Sequence, residues 1–426
     1  MRGVKAHRPE TRWATRTIPF VLAGCIGFAT YVIIQRICLD YFLFSWQQPT
    51  IAFTLLGFYC VFLVLMILTY FRVFFAIQLN PGVVPLGPKA DEQTNTRRRD
   101  RRRRRRTGGR RRSHTGSEDD VEGDLEAAIS YEVRPDDNPD SPGLEEFYSK
   151  DVFVCDTDGR PRWCSTCCNW KPDRAHHCSE IDRCVRKMDH YCPWVGGIVG
   201  ETSFNYFVQF TFYTASCCLV LIVAAALCLQ SLASRGSPVD GLVIAVLAIS
   251  SFFGLFTFTM TATSIRYILL NLTNVDYLKS KSIVHQLAVR VPRGTPPGIN
   301  YGIISYPLPK STDEQSELTS LRDQLATRTF AIIKTEMGEN PWELGPYRNW
   351  KSVMGNTIWD WVLPIRGSPC ASFENNESFY EMGPLYPRLR ERFGLPELNV
   401  VKEASERKEF EKRKERQASG THTQDS

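Results

Sequence analysis

Four long stretches of this 426-residue sequence contain no charged residue, at 18–35, 51–71, 206–232 and 242–265. An absence of charge over close to twenty residues argues against a buried helix of a soluble protein. Each stretch is long enough to cross a bilayer, the first with slight help from its flanks. The sequence therefore predicts an all-α transmembrane fold class with a four-helix membrane domain.

The first apolar stretch is not clearly followed by a small-residue cleavage signature, and a second stretch comes soon after it. We therefore expect a retained membrane helix rather than a cleaved signal peptide. The connections at 36–50 and 233–241 hold only Arg36 and Arg235 as basic residues, whereas 1–17 and 72–205 are rich in them. The positive-inside rule predicts a multi-pass integral membrane protein with both termini and 72–205 in the cytosol.

The 14 cysteines do not indicate a disulfide scaffold, which is typical of short secreted chains. Six of them fall between Cys164 and Gly200, together with three histidines. Cys164 and Cys167 have the C-x2-C spacing of a zinc knuckle, and His177 and Cys184 can complete a Cys3His set. For C-x2-C alone a redox pair or two buried thiols are the alternatives, but the added histidine and cysteine favour zinc.

Cys192 stands apart from this set, eight residues beyond Cys184, with His190 two residues before it. A thiolate is the reactive form of cysteine and an imidazole can accept its proton, so the pair suggests a nucleophile and its base. A metal ligand or a packed thiol is the alternative. Three nearby cations favour the nucleophile, since they would lower the thiol pKa and attract a phosphorylated donor: Arg183, Arg186 and Lys187.

Charge is concentrated in blocks outside these regions. The net charge of +6 traces mostly to 97–112, which holds twelve arginines and precedes an acidic stretch at 118–124. Such blocks cannot bury enough apolar surface to fold, which predicts a disordered insert. Contact with anionic lipid headgroups or with nucleic acid are the alternatives, and we expect no nucleic-acid partner. Residues 402–418 alternate acidic and basic side chains, as in a solvated helix or a frayed tail.

These observations predict eight regions along the chain. They are a cytosolic N-terminus (1–17), transmembrane helices 1–2 (18–71), a cytosolic linker (72–88), a disordered arginine-rich then acidic insert (89–150), a cysteine-rich zinc and catalytic domain (151–205), transmembrane helices 3–4 (206–265), a cytosolic C-terminal region with short motifs (266–360) and a tail (361–426).

The segment 164–207 resembles the cysteine-rich domain of the DHHC family of protein S-acyltransferases, or palmitoyltransferases. The matching residues include Lys-Pro-Asp-Arg-Ala-His-His-Cys at 171–178, Met-Asp-His-Tyr-Cys-Pro-Trp-Val at 188–195 and Asn-Tyr-Phe at 205–207. The tetrapeptide at 189–192 is the Asp-His-Tyr-Cys variant, as in fungal-like members. Asn-Pro-Gly at 80–82, Thr-Asn-Val-Asp at 273–276 and the aromatic motif at 340–349 are similar to further family motifs, and the first two depart from them in one and two residues.

The resemblance implies a two-step transfer that uses palmitoyl-CoA or another long-chain acyl-CoA as co-substrate. Cys192 would attack the acyl thioester, and a cysteine of a cytosolic or membrane protein would then take the acyl group from the enzyme. His190 carries over as general base and Asp189 as its orienting carboxylate. Adjacent side chains cannot hydrogen-bond unless the backbone is irregular, so the role of Asp189 depends most on the resemblance. The acyl chain would lie between the transmembrane helices, in the lipid bilayer.

The departures from the family pattern concern a second zinc ion. By family spacing its ligands would stand at 178, 181, 191 and 198, where this sequence has Cys178, Ile181, Tyr191 and Ile198. Three of four ligands are absent together, and two are replaced by apolar residues. We therefore expect one zinc ion, at Cys164, Cys167, His177 and Cys184, and hydrophobic packing around Ile181, Tyr191 and Ile198 in place of the other.

Three other functions compete with acyl transfer. One is a non-catalytic, zinc-stapled membrane adaptor that lost catalysis with its second metal site; the retained Asp189, His190 and Cys192 argue against it. A membrane-anchored ubiquitin ligase needs eight zinc ligands, and the cluster supplies too few after Cys184. A nucleic-acid binder acting through 97–112 would bind with steep salt dependence and would not need Cys192.

Overall fold

The computed structural model describes residues 9–87, 90, 143–279, 284–306, 328–371 and 380–398. The arginine block at 97–112, the acidic stretch at 118–124 and the charged segment at 402–418 lie outside these residues. The chain forms two compact units, each drawn from separate stretches of sequence. The first comes from Met1–Leu86, Pro172–Lys281 and Trp342–Gly383, and the second from Gly87–Lys171, Ser282–Pro341 and Pro384–Ser426.

The described residues form nine α-helices and ten short strands. The helices are α1 (Pro9–Tyr31, continued by a π-helix over Val32–Ser45), α2 (Pro49–Leu79), α3 (Glu145–Tyr148), α4 (Phe204–Ser234), α5 (Gly241–Leu269), α6 (Asn274–Lys279), α7 (Pro346–Met354), α8 (Ile358–Val362) and α9 (Leu385–Arg392). The strands are β1 (Val152–Val154), β2 (Trp163–Cys164), β3 (Asn169–Trp170), β4 (His176–Cys178), β5 (Arg183–Val185), β6 (His190–Cys192), β7 (Gly197–Val199), β8 (Gln286–Val291), β9 (Gly302–Tyr306) and β10 (Arg328–Lys334).

Four helices of the first unit are long and apolar enough to cross a membrane: Trp13–Ser45, Pro49–Leu79, Phe204–Ser234 and Gly241–Leu269. They contain the four uncharged stretches and extend beyond them. Helix α2 continues past Phe71 to Leu79. Within this extension, Arg72 donates hydrogen bonds to the carbonyl oxygens of Pro364 and Ile365. The membrane part is therefore all-α, as the sequence predicts.

The four helices pack around an apolar core, while large apolar side chains such as Phe20, Phe58 and Leu255 remain exposed. Apolar side chains on the outside of an apolar bundle are typical of a surface in contact with lipid. The start of α5 is fixed by Asp240, which accepts a hydrogen bond from the Leu242 N–H and pairs with Arg36 at 2.9 Å. Helix α2 begins with Pro49, whose fixed φ suits the first helical turn.

Two hairpins connect α2 to α4 within the first unit. Strand β4 pairs with β5, placing His177 opposite Cys184, and β6 pairs with β7, placing Tyr191 opposite Ile198. The Asn-Pro-Gly turn after α2 joins them: the Thr202 hydroxyl donates to the Asn80 carbonyl oxygen at 2.6 Å, and the Arg186 N–H donates to the Gly82 carbonyl oxygen at 2.9 Å. This turn therefore fixes the hairpins near the end of α2.

The second unit contains a four-stranded antiparallel sheet in the order β1-β8-β10-β9. Its registers include Val152 opposite Val289 and Ala331 opposite both Val289 and Ile303. One face buries an aromatic core in which Tyr148 and Tyr306 stack with ring centroids 4.0 Å apart. The sequence did not predict this sheet, because the segment 280–335 showed no strong periodicity. The β2–β3 hairpin also belongs to this unit.

The aromatic motif at 340–349 leads into the last part of the first unit. The Asn349 side-chain amide donates to the Leu269 carbonyl oxygen at 2.8 Å, at the end of α5, and its oxygen accepts from the Leu344 N–H. The side chain of Gln209 on α4 donates to the carbonyl oxygens of Asp360 and Trp361. Side-chain-to-backbone hydrogen bonds thus attach α7 to the end of α5 and α8 to α4.

Candidate active site and metal centre

Four potential metal ligands lie together. Cys164, Cys167, His177 and Cys184 each offer one ligand atom, and the four atoms lie within 4.8 Å of one another. The Cys167 N–H donates to the Cys164 sulfur at 3.4 Å, as expected for a turn that directs two thiols to one point. His177 and Cys184 face each other across the β4–β5 pair.

The chemistry of this donor set fits a structural zinc ion. Three buried thiols and one imidazole make a tetrahedral Cys3His set. The Nδ1 of His177 lies 4.0 Å from the Cys184 sulfur, and its Nε2 lies 3.5 Å from Asp182 Oδ1. A carboxylate on the outer nitrogen of a histidine ligand fixes the orientation of its ring. The four residues predicted as metal ligands therefore lie together and could hold a metal ion.

Cys192 lies at the end of β6, against the ends of two membrane helices. It is 7% exposed and packs in one apolar cluster with Val73 of α2 and Phe207 of α4. The chain then turns through Pro193–Val195 to Gly196, whose φ of 85° lies in the left-handed region. A Cβ at Gly196 would come within 2.9 Å of the Phe74 ring, so glycine is needed there for close approach to α2.

Asp189 and His190 form the side-chain contact that adjacent residues seldom make. The Nδ1 of His190 lies 2.7 Å from Asp189 Oδ2, and the other carboxylate oxygen accepts a hydrogen bond from the Asn274 N–H at 2.8 Å. The backbone before the pair is irregular, since Lys187 has a φ of 40° and the strand begins only at His190. The irregular backbone that this contact requires is therefore present.

The ionisation of His190 depends on two neighbours. Burial alone would lower its pKa, but hydrogen bonds to Asp189 and Cys192 outweigh burial and raise the pKa to about 9. The ring also packs edge-on against Phe207, with centroids 5.1 Å apart. At neutral pH the imidazole therefore carries a second proton beside the Cys192 sulfur.

The three cations predicted to attract a phosphorylated donor differ in exposure. Arg186 is buried and pairs with the buried Glu201 at 3.2 Å. Lys187 is buried beside Cys370, with Nζ 3.6 Å from the sulfur, and burial lowers its pKa. Only Arg183 of the three is partly exposed, and it donates to the Val84 carbonyl oxygen at 2.9 Å. The placement of Arg186 and Lys187 favours a structural role.

The position of the family's second metal site is filled by side chains. Cys178, Ile181 and Ile198 pack with Val185 in a buried cluster, against which Val83, Met188 and Tyr191 are partly buried. Ile181 and Ile198 are 7% and 2% exposed. The hydrophobic packing expected around Ile181, Tyr191 and Ile198 is therefore present.

Sequence reasoning missed the ion-pair network that supports Asp189. Asp276 pairs with Arg174 at 2.7 Å and with His176 at 3.7 Å, and Arg174 also donates to the Asn271 side chain. Burial would raise the pKa of Asp276, but the charge of Arg174 and the hydrogen bond to His176 hold it well below its usual range. The Thr-Asn-Val-Asp motif at 273–276 was the available signal, although nothing in its sequence identified Arg174 as its partner.

An apolar cavity of about 510 Å³ lies among the four membrane helices. Its wall includes Tyr59, Tyr70 and Phe71 of α2 and Phe253 of α5. Phe253 also contacts the Trp194 ring, two residues beyond Cys192, at a centroid distance of 6.1 Å. A cavity with this lining suits a hydrocarbon chain.

The sequence matches known proteins along most of its length. A family model described as DHHC palmitoyltransferase matches residues 157–281. The chain is 40% identical to palmitoyltransferase pfa5 of Aspergillus fumigatus over 398 residues, which cover 89% of this chain and 90% of the relative. It is 39% identical to palmitoyltransferase pfa5 of Emericella nidulans over 436 residues, covering 92% and 88%.

A mammalian relative matches a shorter part of the chain. The chain is 38% identical to palmitoyltransferase ZDHHC3 of Rattus norvegicus over 127 residues, which cover 28% of this chain and 42% of the relative. The much longer matches to the two pfa5 proteins extend the similarity beyond the core to the helices and the C-terminal segments. With the site geometry above, these matches establish that the chain belongs to the DHHC palmitoyltransferase family.

Proposed function

We propose that Cys192 is the nucleophile of this protein S-palmitoyltransferase and is itself acylated by a long-chain acyl-CoA. The observation that carries the proposal is the chain of contacts from Asp189 to His190 to Cys192, and Trp194, two residues further on, contacts Phe253 in the wall of the apolar cavity. Palmitoyl-CoA is the expected donor, with its hydrocarbon chain in the cavity and its thioester at Cys192. A membrane-associated protein with an accessible cysteine is the acceptor.

The proposed reaction has two thioester exchanges. With its pKa raised to about 9, His190 holds the proton that Cys192 gives up, and the resulting thiolate attacks the carbonyl carbon of the acyl-CoA, forming a carbon–sulfur bond. The electron pair pushed onto the carbonyl oxygen returns and breaks the bond to the CoA sulfur, which leaves with the proton from His190. A substrate thiol then repeats the sequence on the acylated Cys192 and regenerates it. Asp189 keeps Nδ1 of His190 occupied, so that Nε2 handles the proton.

The sequence predicted that three cations contact the CoA phosphates: Arg183, Arg186 and Lys187. Two of them, Arg186 and Lys187, are buried, which restricts the proposed phosphate contact. Arg183 is the one partly exposed side chain, so we assign direct phosphate contact to it. Arg186 and Lys187 contribute positive charge from beneath the surface, and their main contacts are Glu201 and Cys370.

We infer one zinc ion per chain, held by Cys164, Cys167, His177 and Cys184. A closed Cys3His set leaves no open position, so zinc would brace the fold and take no part in the transfer. The isoleucines at 181 and 198 support a stoichiometry of one, because their side chains cannot bind a metal. Metal analysis of the purified chain should give about one zinc per chain, and a value near two would contradict the assignment.

We further propose that the chain is a fungal-type member with the Asp-His-Tyr-Cys tetrapeptide, that it is a multi-pass membrane protein, and that both termini face the cytosol. The distribution of basic residues supports this orientation. Protease protection of sealed vesicles tests it: a tag at either terminus should be cleaved from the cytosolic side without detergent. Protection of either tag would refute the orientation.

The central experiment compares wild type with Cys192→Ala. Purified full-length protein is incubated with radiolabelled palmitoyl-CoA, and the bound label is then treated with neutral hydroxylamine, which cleaves thioesters. Wild type should carry hydroxylamine-sensitive label and Cys192→Ala none, while both retain the same zinc content. Equal labelling of the two proteins would exclude Cys192 as the acceptor, and absence of label from wild type would favour the non-catalytic adaptor.

A further inference from the structure

Tyr70 occupies a position on α2 that connects the cysteine-rich segment to the cavity. Val73, Phe74 and Ile77 follow it at the spacing of one helix face, and all three contact the segment around Cys192. Val73 and Ile77 belong to the cluster that includes Cys192, and the Phe74 ring packs closely against Gly196. Tyr70 lies one turn deeper on this face, and its ring lines the cavity.

The hydroxyl of Tyr70 is buried and has no hydrogen-bond partner among the residues that the structure describes. A buried phenol without a partner is unfavourable, because its hydroxyl has lost its contact with water and has gained no hydrogen bond in exchange. Aromatic neighbours hold its ring: Phe210 lies 5.4 Å away and Phe74 6.3 Å away between centroids. The hydroxyl is also close enough to Cys192 for an electrostatic interaction between the two groups.

The acylation chemistry provides a partner at this place. When the acyl chain fills the cavity and its carbonyl carbon meets the Cys192 sulfur, the carbonyl oxygen lies between the sulfur and the cavity wall. Attack by the thiolate moves an electron pair onto that oxygen, and the developing negative charge needs a donor in a water-poor site. An unpartnered O–H on a residue of the cavity wall, one helix turn from the residues that contact the segment around Cys192, suits that requirement.

We propose that the Tyr70 hydroxyl donates a hydrogen bond to the thioester carbonyl oxygen and stabilises the oxyanion in both exchanges at Cys192. This makes Tyr70 a catalytic residue on a membrane helix, outside the cysteine-rich segment. The proposal rests on the proposed role of Cys192 as nucleophile. No bond to Tyr70 forms or breaks, and the phenol keeps its proton throughout.

The test is Tyr70→Phe, which removes the oxygen and keeps the ring contacts. Tyr213→Phe is the matched control, because Tyr213 is a buried tyrosine on α4 whose hydroxyl donates to the Val362 carbonyl oxygen and whose side chain is not part of the cavity wall. Single-turnover labelling with palmitoyl-CoA gives the acylation rate constant at saturation and the half-saturating concentration separately. Thermal unfolding and zinc content check that each variant is folded.

Removing one oxyanion donor typically slows the chemical step about 10²- to 10³-fold, and for a single neutral phenol we expect a loss of roughly 10- to 100-fold. The loss should appear in the rate constant at saturation, with the half-saturating concentration within about threefold of wild type. Tyr213→Phe should stay within about threefold on both. A saturating rate for Tyr70→Phe equal to that of Tyr213→Phe would overturn the proposal.

A second variant covers the case in which Tyr70→Phe folds poorly. Incorporation of 3-fluorotyrosine at position 70 preserves the shape and makes the phenol a stronger donor, so the saturating rate should rise above wild type at slightly acidic pH. An unchanged rate would refute the hydrogen bond. Cys192→Ala is run alongside: if it still carries hydroxylamine-sensitive label, the nucleophile assignment fails, and the result is not a test of Tyr70.

Discussion

A buried histidine normally loses its proton more easily than one in water, and His190 does the opposite. The hydrogen bond that its Nδ1 donates to Asp189 at 2.7 Å and the interaction with Cys192 together overcome the cost of burial and raise its pKa to about 9. Asp189 can hold this orientation because the Asn274 N–H fixes its second oxygen. Asp189 therefore orients the imidazole ring and, together with Cys192, favours its protonated form.

This shift predicts a pH dependence of stability. The pKa of His190 is raised above its ordinary value of 6.5, so its protonated form stabilises the folded state. That contribution is fully present below about pH 6.5 and is lost as the pH rises through about 9. The difference in melting temperature between wild type and His190→Gln should therefore be largest near pH 6 and should shrink toward pH 9. A difference that grows with pH would contradict the assigned shift.

The sequence identified the residues of this pair but not the contact between them. Asp189 and His190 are adjacent, and a regular strand would direct their side chains to opposite faces. The backbone just before the pair is left-handed at Lys187, a residue that rarely adopts that conformation and gives no sign of it in the sequence. Tyr70 was equally inconspicuous, since α2 is apolar on all sides and periodicity does not show which face meets Cys192.

Among the elements, the membrane helices could be predicted because each is a long run without charge. The sheet of the second unit could not, because its strands have three to seven residues and come from 152–154, 286–306 and 328–334. Pairing across such distances leaves little local signal. The predicted metal ligands also lie in short strands without periodicity, but the residue types and spacing of these four side chains were enough to predict that they lie together.

Ile198 of the β6–β7 hairpin packs in a buried apolar cluster. Ile198→Ala should lower the free energy of unfolding by about 2–4 kcal/mol, since it leaves a cavity in the cluster with Ile181 and Val185. Zinc content should remain that of wild type, because Ile198 is not a ligand. Ile299→Ala is the matched control at a fully exposed position and should change stability by less than about 0.5 kcal/mol. Loss of zinc from Ile198→Ala would contradict this interpretation.

Helices α1 and α2 close the cavity at the end away from Cys192. The hydroxyls of Thr30 and Tyr59 are 2.7 Å apart, and Tyr59 is 1% exposed. Tyr59 and Tyr70 lie eleven residues apart on α2, which is about 16 Å along the helix axis. A saturated chain that starts at Cys192 and follows α2 would therefore meet Tyr59 near its methyl end.

Tyr59→Ala should shift the enzyme toward longer acyl chains. The rate of autoacylation with stearoyl-CoA relative to palmitoyl-CoA should rise about tenfold, because two further methylenes become buried at about 0.8 kcal/mol each. Competition between the two labelled donors measures this ratio directly. Thr30→Val removes the hydrogen bond with little change of volume and should alter the ratio much less. An unchanged ratio in Tyr59→Ala would place the closed end elsewhere.

At the scale of the molecule, residues far apart in sequence support one carboxylate. Arg174, from the cysteine-rich segment, is held by Asp276 at 2.7 Å and by Asn271 at 2.8 Å, both beyond the end of α5. Trp342 and Tyr380, from the last part of the first unit, lie against its guanidinium at 5.2 and 5.5 Å. This network lies beside the Asn274 N–H that binds Asp189, so the segment after α5 and the Asp189–His190 pair are connected through a buried ion pair.

Breaking that ion pair should therefore impair catalysis as well as stability. Asp276→Asn leaves the Arg174 charge buried without its partner, which typically costs about 3–5 kcal/mol. The segment that carries Asn274 should also lose its position, and the acylation rate constant of the folded enzyme should fall. Single-turnover labelling, normalised to folded protein, measures that rate.

Asp240→Asn is the matched control, because Asp240 also pairs with an arginine, Arg36 at 2.9 Å, and stands at the start of α5 rather than after its end. Loss of the Asp240–Arg36 pair should lower the melting temperature. It should leave the acylation rate of the folded enzyme unchanged, since this pair is remote from Asp189. Slower acylation in Asp276→Asn alone would show that the ion pair acts through the position of Asn274. Equal rates in the two variants would mean that the pair only stabilises the fold.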